Sequence, residues 1–159
     1  MEAIWFLDTL VRIHIDGATT DGAYALVESV APNGHMPPPH VHATDAEGFV
    51  VLEGELTVHT ENGAHVLRPG DSIHAPAGRP HTIEVTSETP ARWMVVSAPG
   101  GFEAFVREFG IPAERDALPP TPDGPPDLAR LEAIAGQHGI TFVGPPGTTP
   151  AQLAATQTD

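Results

Sequence analysis

Phe49-Val50-Val51-Leu52-Glu53-Gly54-Glu55-Leu56-Thr57-Val58-His59-Thr60-Glu61-Asn62-Gly63 holds two chain reversals within fifteen residues. Phe49–Leu52 and Leu56–His59 are rich in branched and aromatic side chains that suit a pleated surface, and Glu53-Gly54 can turn the chain between them. Asn62-Gly63 is the strongest hairpin signal in the sequence, because a tight hairpin turn needs residues that tolerate positive φ. The same pattern spreads in both directions. Leu10–Ile15 and Ala23–Val30 read as earlier strands. Arg68-Pro69-Gly70-Asp71 and Ala77-Gly78-Arg79-Pro80 read as turns leading into strands at Ser72–Ala75, His81–Thr86 and Arg92–Ser97. So many short antiparallel strands in one domain's length predict an all-β sandwich or barrel-like jelly roll.

The period changes after Pro99-Gly100-Gly101. Phe102, Phe105, Val106 and Phe109 follow the spacing of a helix with one apolar face, and Gly110 stops it. Pro112–Pro126 is crowded with proline and predicts an extended linker. Asp127 can cap a second helix from Leu128 to Ala135, with Leu128, Leu131 and Ile134 inward. Ile140–Val143 suits a short strand. The organisation expected is therefore a β-barrel over 1–100, a helical extension with a Pro-rich linker over 101–143, and a flexible tail over 144–159, with no internal repeat.

The chain has 159 residues, enough for one domain with a sizeable core. It carries 21 acidic side chains against 7 basic ones, all arginine, for a net charge of -14. That balance repels phosphate backbones and anionic lipid heads, so neither nucleic acid nor membrane is expected as a partner. The absence of cysteine excludes disulfides, thiol nucleophiles and thiolate metal sites. The absence of lysine excludes Schiff-base chemistry. Neither a leader segment nor a spanning run is read in the sequence, and a cytoplasmic protein is the expectation. Nine histidines remain as the stock for chemistry.

Their densest grouping is Gly34-His35-Met36-Pro37-Pro38-Pro39-His40-Val41-His42-Ala43-Thr44-Asp45-Ala46-Glu47. If His40–His42 is extended, a period of two points both imidazoles at one face, where they can share an ion. Glu47 heads the next strand and a hairpin could return its carboxylate to that face. A third imidazole is available at His81, which follows Gly70, Pro76 and Gly78 at the start of another strand.

In this arrangement, Gly34, His40, His42, Glu47 and Gly54 resemble the first motif of the cupin superfamily at every fixed position. Gly70, Pro76, Gly78 and His81 resemble the second motif, with Val85 at a place where the family often carries asparagine. The match covers the middle third of the chain. The resemblance implies a double-stranded β-helix jelly roll with His40, His42, Glu47 and His81 around one divalent transition metal. Fe, Mn, Ni, Co, Cu or Zn would all accept such a set of imidazoles and one carboxylate.

The Pro-rich lead into His40, the Pro-Gly-Gly-Phe after the last strand and the helical tail resemble the small bacterial cupins called quercetin 2,3-dioxygenase-like. That resemblance implies cleavage of an enol-bearing aromatic with O2, Glu47 serving as ligand and general base. The same ligand set also suits a non-redox cyclase, isomerase or lyase, and a metal-bearing binding module without turnover is a third reading. The expected partner is a small aromatic or enolic molecule. A homodimer is expected too, as cupins commonly pair through N-terminal strands and Trp5 and Phe6 could cover a sheet edge or a partner subunit.

Among other candidates, His74 lies on a strand leading to the site. Pointed inward, it would be a supporting donor or proton shuttle, and its direction is left open. Phe49 and Val51 share parity with Glu47 and should face the interior; Met36, Trp93, Phe102 and Phe105 are candidate rim or lid residues for a substrate pocket. His35 and His65 fall in or beside turns and are expected to be solvated. The face of His59 is open.

Overall fold

The computed structural model describes residues 1–156. Their strands are β1 (Glu2–Phe6), β2 (Thr9–Ile15), β3 (Ala25–Ala31), β4 (His40–His42), β5 (Ala46–Glu53), β6 (Leu56–Thr60), β7 (Gly63–Leu67), β8 (Ser72–Ala75), β9 (His81–Val85), β10 (Ala91–Ala98), β11 (Ile111–Pro112) and β12 (Ile140–Phe142). The helices are α1 (Phe102–Phe109), α2 (Leu128–Gln137) and α3 (Pro150–Thr156). One sheet runs β11-β1-β2-β3-β10-β5-β8 and the other β12-β4-β9-β6-β7. Packed face to face, they make the all-β double-stranded β-helix that the motif resemblance implies, with short helices after it.

Strand alternation supplies the core. Along β5, Glu47, Phe49 and Val51 are buried while Val50 is exposed. Val11, Val27, Phe49, Val51, Trp93 and Val95 of the larger sheet meet Leu56, Val58, Ile83 and Val85 of the smaller in one apolar cluster. Each such side chain contributes about 1.5–3 kcal/mol when fully buried. Val51 belongs wholly to this cluster. Gly54, between β5 and β6, has φ 74°, and a Cβ there would come within 2.8 Å of the Ala91 Cα. Only glycine turns the chain there without strain.

The C-terminal segments close one end of the barrel. Phe105 of α1, Leu131, Ile134 and Ala135 of α2, and Ile140 of β12 form a second apolar cluster against Phe6, Phe102, Phe109 and Phe142. The buried Glu103 carboxylate accepts from the Gly101 N–H (2.9 Å) and the Gly17 N–H (3.1 Å), tying α1 to the end of β2. Asp127 caps α2 as the sequence predicts, its Oδ1 accepting from Arg130 N at 3.0 Å. The Pro-rich stretch is anchored rather than free. It opens with β11, which pairs with Ile4 and Trp5, and Trp5 Nε1 donates to Ala117 O at 2.8 Å. Arg115 stands 5.5 Å from the Trp5 ring centre. The chain's own C-terminal half thus covers both Trp5 and Phe6, the latter meeting Phe105 and Phe109 edge-on.

Within 144–159, read as a tail, Pro150–Thr156 form α3 beside β6; residues 157–159 lie outside the described residues. No helix among the described residues is long and apolar enough to cross a membrane.

Candidate metal centre

Four side chains from three strands converge inside the barrel. His40 and His42 alternate with Val41 on β4, so both rings leave the same face. Antiparallel pairing sets His40 directly opposite His81 on β9, and Glu47 reaches in from β5 in the facing sheet. One ligand-capable atom from each of the four lies within 4.8 Å of the others. His42, Glu47 and His81 are buried; His40 is half-buried and lines the cavity described below. The structure therefore brings together all four of the residues singled out in the two motifs.

The far nitrogen of each imidazole is tied back. His42 Nδ1 donates to Asp45 Oδ2 at 2.7 Å, His40 Nδ1 to Pro38 O at 3.0 Å, and His81 Nδ1 to Arg79 O at 3.4 Å. These contacts fix ring orientation and leave the Nε2 atoms to meet at the centre. His81 Nε2 is 2.9 Å from Glu47 Oε2. His42 Nε2 is 3.1 Å from the same oxygen, close enough for ionic attraction but without hydrogen-bond geometry.

Electrostatics follows from this packing. Burial, with the charges of His81 and His42 beside it, pushes the His40 pKa down to about 3. Burial also works against a charged His42, yet the Glu47 carboxylate and the Asp45 hydrogen bond outweigh it and hold that imidazole up at about 10. Glu47 is opposed by burial but kept well below the usual carboxylate range by His42 and His81. An ionised carboxylate, three imidazoles and a buried Nε2 without a hydrogen bond are the donor set a divalent transition metal needs.

The cluster forms one end of a cavity walled mostly by apolar side chains. Phe49, Trp93, Phe102 and Phe105 line it, as the sequence suggests. Trp93 Nε1 is buried there without a hydrogen bond. Two candidates lie elsewhere. Val51 is fully buried in the core, and Met36 lines an outer groove that runs along Phe109 and Pro122–Pro126. The groove shares Leu7, His35, Pro37, Pro38 and Leu131 with the cavity, so the two adjoin.

His74 does not point into the barrel. Ile73 and Ala75 take the inward positions of β8, leaving His74 exposed in a surface hollow with Glu61, His65 and Arg79. Its proposed shuttle or supporting role therefore has no geometry behind it. The alternation Ser72-Ile73-His74-Ala75 already carried that signal. His65 is exposed, and His59 pairs with Glu84 at 2.9 Å. His35 departs from expectation the other way. It is half-buried, with Nδ1 2.6 Å from Asp8 Oδ1. Asp45 was also missed, although an acidic residue so soon after His42 on a tight turn is a readable sign of a ligand-orienting partner.

Residues 26–97 match the family model described as the Cupin domain. The chain is 36% identical over 115 residues to quercetin 2,3-dioxygenase of Bacillus subtilis (strain 168), a match over 72% of this chain and 34% of that protein. An uncharacterized protein of Methanocaldococcus jannaschii is 31% identical over 75 residues, 47% of this chain and 60% of that protein. The chain thus spans well under two thirds of the length of the curated relatives it matches. Among solved structures, the polyketide cyclase RemF from Streptomyces resistomycificus superposes with a TM-score of 0.51 at 25% identity, over 58% of this chain and 66% of that one. KdgF from Halomonas sp. shares the fold, with a TM-score of 0.53 at 20% identity over 58% of this chain and 82% of that one.

Proposed function

The chain carries a cupin domain, and from the groups this domain gathers we propose a metal-dependent enzyme that cleaves an enol-bearing aromatic of the flavonol type with O2. The observation that carries this reading is the convergence of His40, His42, Glu47 and His81 at the end of an apolar chamber. The kinship to a quercetin 2,3-dioxygenase supports the substrate class.

His40, His42 and His81 would hold the ion throughout, their rings kept in place by Pro38 O, Asp45 and Arg79 O. A bound divalent transition metal supplies Lewis acidity to the enol oxygen and, where redox-active, oxygen chemistry. Glu47 takes the proton of the acidic hydroxyl and returns it to the product. Its carboxylate is held ionised by His42 and His81 and so has a free acceptor oxygen to offer. Phe49, Phe102 and Phe105 offer aromatic faces that orient a planar ring and exclude water.

The enclosed space is about 90 Å³, well below the ~300–1,000 Å³ usual for drug-sized ligands. It admits the enol head of a flavonol, and the remaining rings would extend past His35 into the outer groove.

The test is oxygen uptake by metal-loaded protein with quercetin. Consumption of one O2 per flavonol, and none of the flavonol anaerobically, is expected; conversion that proceeds equally without oxygen would overturn the oxidative reading. The likeness to a polyketide cyclase favours one alternative, metal-assisted cyclisation or isomerisation on the same donor set. Anaerobic turnover, with zinc as the metal found by mass spectrometry, would select it.

A further inference from the structure

His35 lines both the chamber and the outer groove. Its Nδ1 lies 2.6 Å from Asp8 Oδ1, a contact spanning 27 positions of sequence. Nε2, on the opposite side of the ring, has no hydrogen-bond partner among the described residues. The other residues that line both hollows are apolar: Leu7, Pro37, Pro38 and Leu131.

The turn that delivers Asp8 is itself unusual. β1 and β2 are joined by Leu7 and Asp8 alone, and Leu7 has φ 57°. A branched side chain in the left-handed region costs about 1–2 kcal/mol, and glycine is the common choice at the first position of such a turn. Here the strained conformation puts the Leu7 side chain against the chamber and Asp8 against His35. Backbone strain of this kind is commonly kept where it serves a site.

We propose that His35, oriented by Asp8, is a specificity-determining residue whose Nε2 accepts a hydrogen bond from a hydroxyl on the part of the substrate remote from the metal. The inference rests on the enol-aromatic reading above and adds to it that the substrate carries a second, hydrogen-donating oxygen. The reason is the direction of the dyad. Asp8 is held ionised, its pKa lowered by His35 against the opposing effect of burial. An ionised carboxylate only accepts, so the ring proton it binds sits on Nδ1, and in that neutral tautomer Nε2 is the acceptor. A phenolic hydroxyl satisfies that atom, whereas a methoxy group leaves two acceptors facing each other in an apolar mouth. Sites built to bind a hydroxyl discriminate strongly against analogues that cannot complete the bond.

The test uses three probes sharing one 3-hydroxy-4-keto head: quercetin, its 5,7,3′,4′-tetramethyl ether, and 3-hydroxyflavone. Binding to metal-loaded protein is followed anaerobically, in mildly alkaline buffer, by the shift of flavonol absorbance. The wild type is expected to bind quercetin at least about tenfold tighter than the tetramethyl ether. In Asp8→Asn, where the neutral amide no longer dictates the tautomer, the ratio should fall below about threefold. His35→Phe should lose the preference. Steric exclusion of the methyl groups would survive Asp8→Asn unchanged, and that result, or equal binding of the two ligands by the wild type, overturns the inference and leaves the proposed reaction standing. Failure of all three probes to bind protein with confirmed metal overturns both.

Discussion

Two histidines of this chain are held in the same way and do different work. His42 Nδ1 meets Asp45 at 2.7 Å, and His35 Nδ1 meets Asp8 at 2.6 Å. In each, an aspartate orders the imidazole and aims its other nitrogen. The difference lies in the surroundings. His42 Nε2 is buried against Glu47 at the meeting point of three imidazoles, whereas His35 lines the wall of an apolar chamber and of the groove beside it. One aspartate–histidine pair prepares a ligand for a cation, and the other prepares an acceptor for a hydroxyl. The residue pair alone does not define the role; the neighbouring groups do.

That contrast can be broken most severely at the cation end. Glu47→Gln should retain much of the metal, because three imidazoles remain, yet lower kcat by about 10²–10⁴-fold; full activity with bound metal would remove Glu47 from any base role. His42→Ala should weaken metal affinity by more than the ~100-fold that loss of a supporting partner can cost, without unfolding the barrel, as read by chelator competition and a thermal melt. Asp45→Asn sharpens the comparison. It should cost about 10–100-fold in metal affinity and leave the hydroxyl-over-methoxy preference intact, with Asp8→Asn giving the reverse pattern.

A further expected effect is on pH. In metal-free protein His42 keeps its proton up to about pH 10, and a cation must displace it. Loading should therefore release a proton, and apparent affinity should climb by about tenfold per pH unit below that value. A raised histidine pKa stabilises the metal-free fold below the ordinary value of about 6.5, and the stabilisation is lost as pH rises through the folded value. Melting temperature of chelated protein should accordingly fall on approaching pH 10, while the loaded protein, with no such proton to lose, should not show that decline.

The two pairs also differ in how readily sequence discloses them. His42, like His40, sits in a strand whose period of two needs no knowledge of distant chain, and the hairpin signals around it are local. The barrel, the α1 stripe of Phe102, Phe105 and Phe109, and the Asp127 cap are legible for the same reason. His35 was placed in solvent because its burial depends on Leu7 and Asp8, which belong to a turn far away in sequence and with a backbone that leucine seldom adopts. β1 carries no comparable local signal, since its cover comes from β11 and Ala117, more than a hundred positions on. β12 was found as a strand, but its place beside β4 is a matter of tertiary packing. The direction of His74 was decidable locally, from the apolar Ile73 and Ala75 flanking it.

All four groups of the donor cluster lie between His40 and His81, whereas Phe102, Phe105, Leu131, Ile140 and Phe142 of the chamber's lining come from beyond β10. Much of the chamber's wall is therefore encoded apart from its donor cluster. Relatives that kept the first stretch and exchanged the second would conserve a chemistry while changing the molecules admitted to it.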